Sequence, residues 1–309
     1  MSKVLITGAA GFLGRYLVHE FSRLGWEITA LDQVSIDAAS HNATLAGVNW
    51  LQMTLPADAL CPLLKTLRPD VLVHAAGPAS VPGSVANPLA DFEGSVRVLC
   101  HILDILRRVS PQTRLIFLSS AAVYGNPEHL PVREDAPCRP ISPYGFHKLM
   151  CERLLDEYAT VYGLRVCAAR IFSAYGPGLR RQALWDICRK ILTRPTVELS
   201  GTGAETRDFI HGADIATALV HLAERAQFKA ETYNLASGVE TTIAALAQQL
   251  VAELNFGNEV VFSGIQRAGD PLRWVADITR LRELGFIPKV SLTEGLAQYA
   301  RWVATQQVN

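Results

Sequence analysis

The sequence predicts an α/β fold, a doubly wound parallel sheet beside a smaller mixed α/β region. Three observations carry this reading. Short apolar runs alternate with amphipathic stretches as far as about Tyr175, the βαβ rhythm that builds a parallel sheet. The first run, Lys3 to Thr7, leads straight into a glycine-rich turn and then a helical pattern. The second, Glu27 to Leu31, closes on a single acidic residue, Asp32.

Each element has a local reason. Lys3–Thr7 is a run of Val, Leu and Ile, as expected of a buried strand. The helix from about Phe12 ends near Leu24, because Gly25 offers the left-handed conformation that terminates helices. Val48–Met53 reads as a weaker strand, Asp58–Leu67 as a helix and Asp70–His74 as a third clear strand. Pro88 to Val109 reads as one long amphipathic helix, with Val96, Leu99, Leu103 and Leu106 at helical spacing. Arg114–Ser119 is a strand, Pro143–Tyr162 a helix stopped by Gly163, and Arg165–Phe172 a strand.

Beyond Tyr175 the rhythm changes. Helices near 180–193, 213–226, 242–254 and 292–304 mix with short strands near Val197, Arg207, Tyr233 and Val260. We therefore expect a sheet domain over 1–175, completed by about 207–236. The segments 176–206 and 237–309 would form a smaller substrate-binding region over it.

Composition narrows the function. The chain has 309 residues, enough for about two domains. It is 49% hydrophobic, which excludes global disorder. Twenty-nine basic and 29 acidic residues give zero net charge, so no bulk field favours nucleic acid or an anionic membrane. No apolar stretch approaches the length of a transmembrane helix. The early glycines and Arg15 argue against a secretory signal. The six cysteines form no CxxC pair and no His cluster accompanies them, so buried thiols in a reducing cytoplasm are expected, with no metal site.

The turn Gly8-Ala9-Ala10-Gly11-Phe12-Leu13-Gly14 carries the first chemistry. Its glycines allow a tight turn, a close approach of backbone to a pyrophosphate, and close packing of helix on strand. The helix N-terminus adds free amides and a positive dipole end. Asp32, 18 residues beyond Gly14, is placed to accept hydrogen bonds from ribose hydroxyls. It would also repel a 2′-phosphate, which favours NAD over NADP. These are the marks of a Rossmann-type sheet that binds a dinucleotide. Arg15 is the one nearby residue that could speak for NADP.

Tyr144 and Lys148 lie four apart at the start of a helix, on one face. An ammonium beside a phenol favours the phenolate, which suits a general base acting on a hydroxyl. Ser119 and Ser120 end a strand at its carboxyl end, where doubly wound sheets bind ligands.

Here the chain resembles a family. The glycine turn, His74-Ala75-Ala76-Gly77, the stretch Leu118–Gly125 with Ser119-Ser120, the stretch Ser142–Lys148, and Arg207-Asp208-Phe209-Ile210 occur in that order. Together they resemble the extended short-chain dehydrogenase/reductases that act on nucleotide sugars, typified by UDP-galactose 4-epimerase. The resemblance implies that Ser120, Tyr144 and Lys148 are catalytic. It implies cofactor contacts at Gly8, Gly11, Phe12, Leu13, Gly14, Asp32, Ala75, Ala76 and Gly77, with Tyr144 and Lys148 also reaching the cofactor. It implies substrate contacts at Ser120, Ser173, Arg207, and Arg267 and Asp270 of the Arg267-Ala268-Gly269-Asp270 stretch. Guanidinium groups suit a diphosphate. A homodimer through helices 88–109 and 143–162 is a further implication.

The chain departs from the family pattern in places. Ala121-Ala122 stands where 4,6-dehydratases carry Asp-Glu, so elimination of water is not expected. Ser95 replaces a usual Asn and Val98-Leu99 a Gly-Thr pair, which leaves open whether the family's helix distortion and water relay near the cofactor carry over. Ser173 replaces a substrate-contacting Asn, and Thr54 an Asp near the adenine. His74 is read as structural. His147, beside Lys148, is read as a rim residue, with tuning of Tyr144 as the alternative. Trp185 is read as packing, with stacking on a base as the alternative. Arg180-Arg181 opens a helix at the substrate mouth, where it could bind phosphate.

The expected function is NAD-dependent epimerisation of a nucleotide-diphosphate sugar through a transient 4-ketone. A 4-keto-6-deoxy-sugar reductase consuming NAD(P)H would use the same residues. A non-catalytic dinucleotide sensor would need the glycine turn but neither Tyr144 nor Lys148.

Overall fold

The computed structural model describes residues 1–35, 47–257, 259–265 and 271–306. Six strands of the central sheet come first: β1 (Lys3–Thr7), β2 (Glu27–Asp32), β3 (Asn49–Gln52), β4 (Val71–His74), β5 (Arg114–Ser120) and β6 (Val166–Ile171). The chain then leaves the sheet for β7 (Ser173–Tyr175), β8 (Thr196–Leu199) and β9 (Thr206–His211), and returns as β10 (Lys229–Leu235). β11 (Glu240–Thr242) and β12 (Glu259–Phe262) follow outside it.

The seven-stranded sheet runs β10-β6-β5-β4-β1-β2-β3, with every pairing parallel. From β1 the chain proceeds outward on one side to β2 and β3, and on the other to β4. The crevice between β1 and β4 is therefore the switch point at which such sheets bind ligands.

Helices cover both faces. In chain order they are α1 (Phe12–Arg23), α2 (Leu60–Leu67), α3 (Val81–Ala86), α4 (Pro88–Phe92), α5 (Val98–Val109), α6 (Pro143–Tyr162), α7 (Gln182–Thr193), α8 (Gly212–Arg225), α9 (Ile243–Leu254), α10 (Thr279–Glu283) and α11 (Leu292–Ala304). Strand side chains alternate between the faces. Val4, Ile6 and Val73 meet Leu17 and Phe21 of α1 and Ile215 and Leu219 of α8. Leu5, Leu72 and Phe117 meet Leu99, Leu103 and Leu106 of α5 and Leu155 of α6. Burial on both faces explains why the strands read as unbroken apolar runs. Each fully buried Leu or Ile contributes about 1.5–3 kcal/mol.

The long helix expected over 88–109 is interrupted. Asn87 caps α4 by accepting from the Ala90 amide at 3.1 Å. A wide π-helical turn, Glu93–Arg97, then precedes α5. Val96, Leu99, Leu103 and Leu106 are nonetheless buried, so the apolar spacing survives the extra residue. The Ser95 hydroxyl donates to the Asp91 carbonyl four residues back, a bond that bends helices. The helix distortion that the sequence left open is thus present, with Ser95 at its centre.

The remaining strands form two small sheets, β11-β9-β7 and β12-β8. They share an apolar cluster built from Leu184 and Ile187, Leu246 and Leu250, and Leu296 and Tyr299. α11 begins with a capping box, Ser291 and Glu294 satisfying each other's amides. The six cysteines are free thiols. Among the described residues, no helix is long and apolar enough to cross a membrane, and no group of side chains could hold a metal ion.

Candidate active site

The site begins where β1 ends. Gly8 has φ +73°, which only glycine adopts without strain, and its amide donates to Leu31 O at 2.9 Å. A Cβ on Gly8 would sit 2.6 Å from Ala76 N. A Cβ on Gly14 would run into Gly8 O and lie 2.7 Å from Ala9 C. The turn is a backbone cradle with no room for side chains. α1 opens on Gly11 with no side-chain cap, so its first amides are left for an anion.

Asp32 is buried at the end of β2. One carboxylate oxygen accepts from Ala10 N at 2.9 Å and the other from Val34 N at 3.3 Å. It therefore faces the cradle from a fixed position. Arg15 turns back to donate to Ala10 O at 2.9 Å. The cradle, the open helix end and the oriented Asp32 fit a dinucleotide, and the carboxylate suits a free ribose diol.

The catalytic candidates come from the other side of the crevice. Ser120 ends β5, and its hydroxyl oxygen accepts from Ala122 N at 3.2 Å, leaving its hydrogen for a ligand. Tyr144 lies in the first turn of α6, which Ser142 caps at 3.2 Å through Gly145 N. The Tyr144 amide donates to Ser84 Oγ of α3 at 3.0 Å. Lys148 is buried. Its ammonium donates to Leu118 O at 2.8 Å and lies 5.7 Å from the centre of the Tyr144 ring.

A single cavity of about 1150 Å³ joins these groups. Gly8, Gly11, Phe12, Leu13, Gly14, Asp32, Ala75, Ala76 and Gly77 line one end. Ser120, Tyr144, Lys148, Ser173 and Arg207 also line the cavity. Arg267 and Asp270 lie outside the described residues. Thr54 also lines the cofactor end. At Ala122 the wall carries a methyl group where a dehydratase would need a carboxyl group.

His74 is structural as expected. It is fully buried, with Nδ1 2.7 Å from Thr7 Oγ1. Burial, with the Lys148 charge behind it, pushes its imidazole down to about 3, so it stays neutral. Trp185 packs on Trp302 at 5.9 Å. Arg181 lines the cavity, whereas Arg180 engages Gln306 and the Trp302 ring.

His147 corrects the expectation of a rim residue. Its side chain is only 12% exposed, and Nδ1 lies 2.6 Å from Asp91 Oδ2. Trp274 was not foreseen. It lines the cavity, donates from Nε1 to Gly125 O at 2.9 Å, and carries the Arg207 guanidinium 5.6 Å from its ring centre. No local pattern marks a tryptophan between Pro271 and Ala276 as a ligand wall. Ser84 was likewise missed, since a helix serine at 60 residues' remove gives no signal of its contact with Tyr144.

Known proteins resemble this chain in sequence and fold. The model of the NAD dependent epimerase/dehydratase family matches residues 4–236. The chain is 32% identical to a UDP-glucose 4-epimerase of Azospirillum brasilense, covering 96% of this chain and 90% of that one. It is 30% identical to one of Mycolicibacterium smegmatis, covering 96% of each. Among solved structures, a UDP-N-acetylglucosamine 4-epimerase from Methanobrevibacter ruminantium superposes with a TM-score of 0.90 at 28% identity, over 99% of both chains. A UDP-glucose 4-epimerase from Thermotoga maritima gives 0.87 at 26%, over 98% of both.

Proposed function

The chain belongs to the NAD dependent epimerase/dehydratase family, and within it we propose that the protein epimerises a UDP-sugar at C4. One observation carries the proposal: Ser120, Tyr144 and Lys148 stand on the wall of the same cavity whose other end is the glycine cradle and Asp32. The similar 4-epimerases support UDP as the nucleotide.

The chain's own residues divide the work. The cradle and the α1 amides hold a pyrophosphate, and Asp32 accepts from a ribose diol. When bound there, NAD supplies a hydride acceptor and returns the hydride, so the net change is stereochemical. Tyr144 takes the proton of the sugar 4-hydroxyl and gives it back. Lys148, fixed by Leu118 O, keeps a positive charge beside that phenol. Ser120 donates to the sugar oxygen. Arg207 grips the diphosphate, held in place by Trp274. Arg267, Asp270 and Ser173 complete the substrate contacts in this reading.

The test is direct. Purified protein given UDP-glucose should form UDP-galactose, or another UDP-sugar its C4 epimer, with no net use of reduced cofactor. Tyr144→Phe should lower turnover by roughly 10²–10⁴-fold. Net consumption of NAD(P)H with a 4-keto sugar would establish the reductase instead. NAD binding without turnover of any nucleotide sugar would establish a sensor.

We also place the working protein in the cytoplasm, as a homodimer. The free thiols support the first. Leu89, Phe92, Phe146, Met150 and Val161, all exposed along the 88–109 and 143–162 segments, support the second.

A further inference from the structure

We propose that Asp91 and His147 are a pair of positioning residues that hold the catalytic turn of α6 in register. The proposal rests on Tyr144 being the acid/base group. His147 falls three residues after Tyr144 and one before Lys148, so any shift of that turn moves all three together. Its Nδ1 meets Asp91 Oδ2 at 2.6 Å. Asp91 is 4% exposed, and its other oxygen, Oδ1, has no hydrogen-bond partner among the described residues. A buried carboxylate with one donor depends on that donor. Because Asp91 accepts, the imidazole carries its proton on Nδ1. Phe92 packs edge-on against the same ring at 5.6 Å.

The other end of the pair is tied to the cofactor side. Asp91 sits in α4, immediately before the π-helical turn. Gly94 of that turn packs so closely on Pro78 that a Cβ there would lie 3.0 Å from Pro78 Cδ. Pro78 and Gly94 both line the cavity. The pair therefore bolts the turn bearing Tyr144 and Lys148 to the segment that backs the Ala75–Gly77 wall. Ser84 secures the same turn from α3, and Leu118 O from the sheet. The charged groups around the pair are Lys148 on α6, Glu152 one turn on, and Glu93, which is engaged by Arg97. His74 behind Lys148 is neutral.

Losing the imidazole would leave Asp91 without its donor and free the turn that sets the Tyr144 phenol against the Lys148 ammonium. A phenol displaced from that ammonium is harder to ionise. The experiment titrates the Tyr144 phenol by absorbance without substrate, each protein against its own Tyr144→Phe counterpart. His147→Ala should raise the midpoint by about half a pH unit or more. It should lower kcat about 10–100-fold, with KM changed less than about threefold. His147→Asn, whose amide can stand where Nδ1 stood, should recover most of both. If His147→Ala does not fold, His147→Leu fills the space without a donor and the same readings decide. A merely structural role would lower thermal stability and leave the phenol midpoint unmoved, which would overturn the proposal. So would an Asn variant no better than Ala. Turnover surviving in Tyr144→Phe would instead sink the acid/base reading, which the titration does not require.

Discussion

Arg170 and Glu152 form a buried ion pair, with Nη2 2.7 Å from Oε2 and both side chains 7% exposed. Ser119 Oγ donates to the same carboxylate at 2.5 Å, so the strand end that carries Ser120 is tied to the helix that carries Tyr144 and Lys148. Removing one partner strands a buried charge. Glu152→Gln should cost about 3–5 kcal/mol in denaturant unfolding. Replacing both residues with apolar side chains of similar volume should cost less than the single change. Equal unfolding midpoints for Glu152→Gln and wild type would refute this account.

Two buried histidines give the protein an acid limit. Burial pushes His74 down to about 3 and His211 down to about 4. Unfolded histidine titrates near 6.5. Between those values the unfolded chain binds protons that the native state refuses, so stability rises with pH and falls on acidification. Each group contributes a slope of up to about 1.4 kcal/mol per pH unit. Asp208 and Asp214, raised by burial, act in the opposite sense from about pH 3.9 upward, within the same window. The clean measurement is the difference between wild type and His74→Asn from pH 7 to 4. The variant should lose less stability over that range.

Cofactor choice should depend on Asp32. Asp32→Ala removes an acceptor for the ribose diol and a charge opposed to a 2′-phosphate. NAD affinity should fall about tenfold, as befits one charged hydrogen bond, while NADP affinity stays or improves. Titration of the apoprotein with each nucleotide reads this. An unchanged NAD to NADP ratio would show that selection lies elsewhere.

Gly14→Ala tests the cradle. Its new methyl group would collide with Gly8 O and Ala9. α1 must then move off β1, so cofactor retention should be lost before the sheet itself unfolds. Calorimetric titration with NAD, paired with a thermal scan, separates the two outcomes.

The proposed dimer can be broken at one residue. Met150 is exposed on α6 beside Phe146. Met150→Lys should convert the protein to a monomer in sedimentation analysis. A wild-type monomer, or a dimer in the variant, would contradict this assembly.

The sequence was most legible where chemistry constrains backbone. Gly8 and Gly163 mark turns that demand glycine, Gly14 marks the close approach of α1 to the turn after β1, and β1, α6 and α11 match their expected bounds. The cofactor half of the site follows from that local grammar. Contacts made across the fold were not legible. His147 seemed peripheral because Asp91, 56 residues earlier, is what buries its ring nitrogen. Trp274 reaches Gly125 across 149 residues. The π-helical turn could not be decided from the sequence, because one extra residue in a helix leaves the apolar spacing on either side intact.

The place of β10 in the central sheet has a consequence for synthesis. β6 pairs with β5 on one side, and its other side waits for β10. A growing chain therefore presents an open edge on β6 until residue 235 has emerged. At about 5–20 residues per second, that edge stays bare for seconds. All six residues of β6 are buried in the finished protein, and β6 has none of the charges that blunt natural edges apart from Arg170. A ribosome stalled inside the smaller region would release a chain with a nearly complete sheet and an unprotected, aggregation-prone flank.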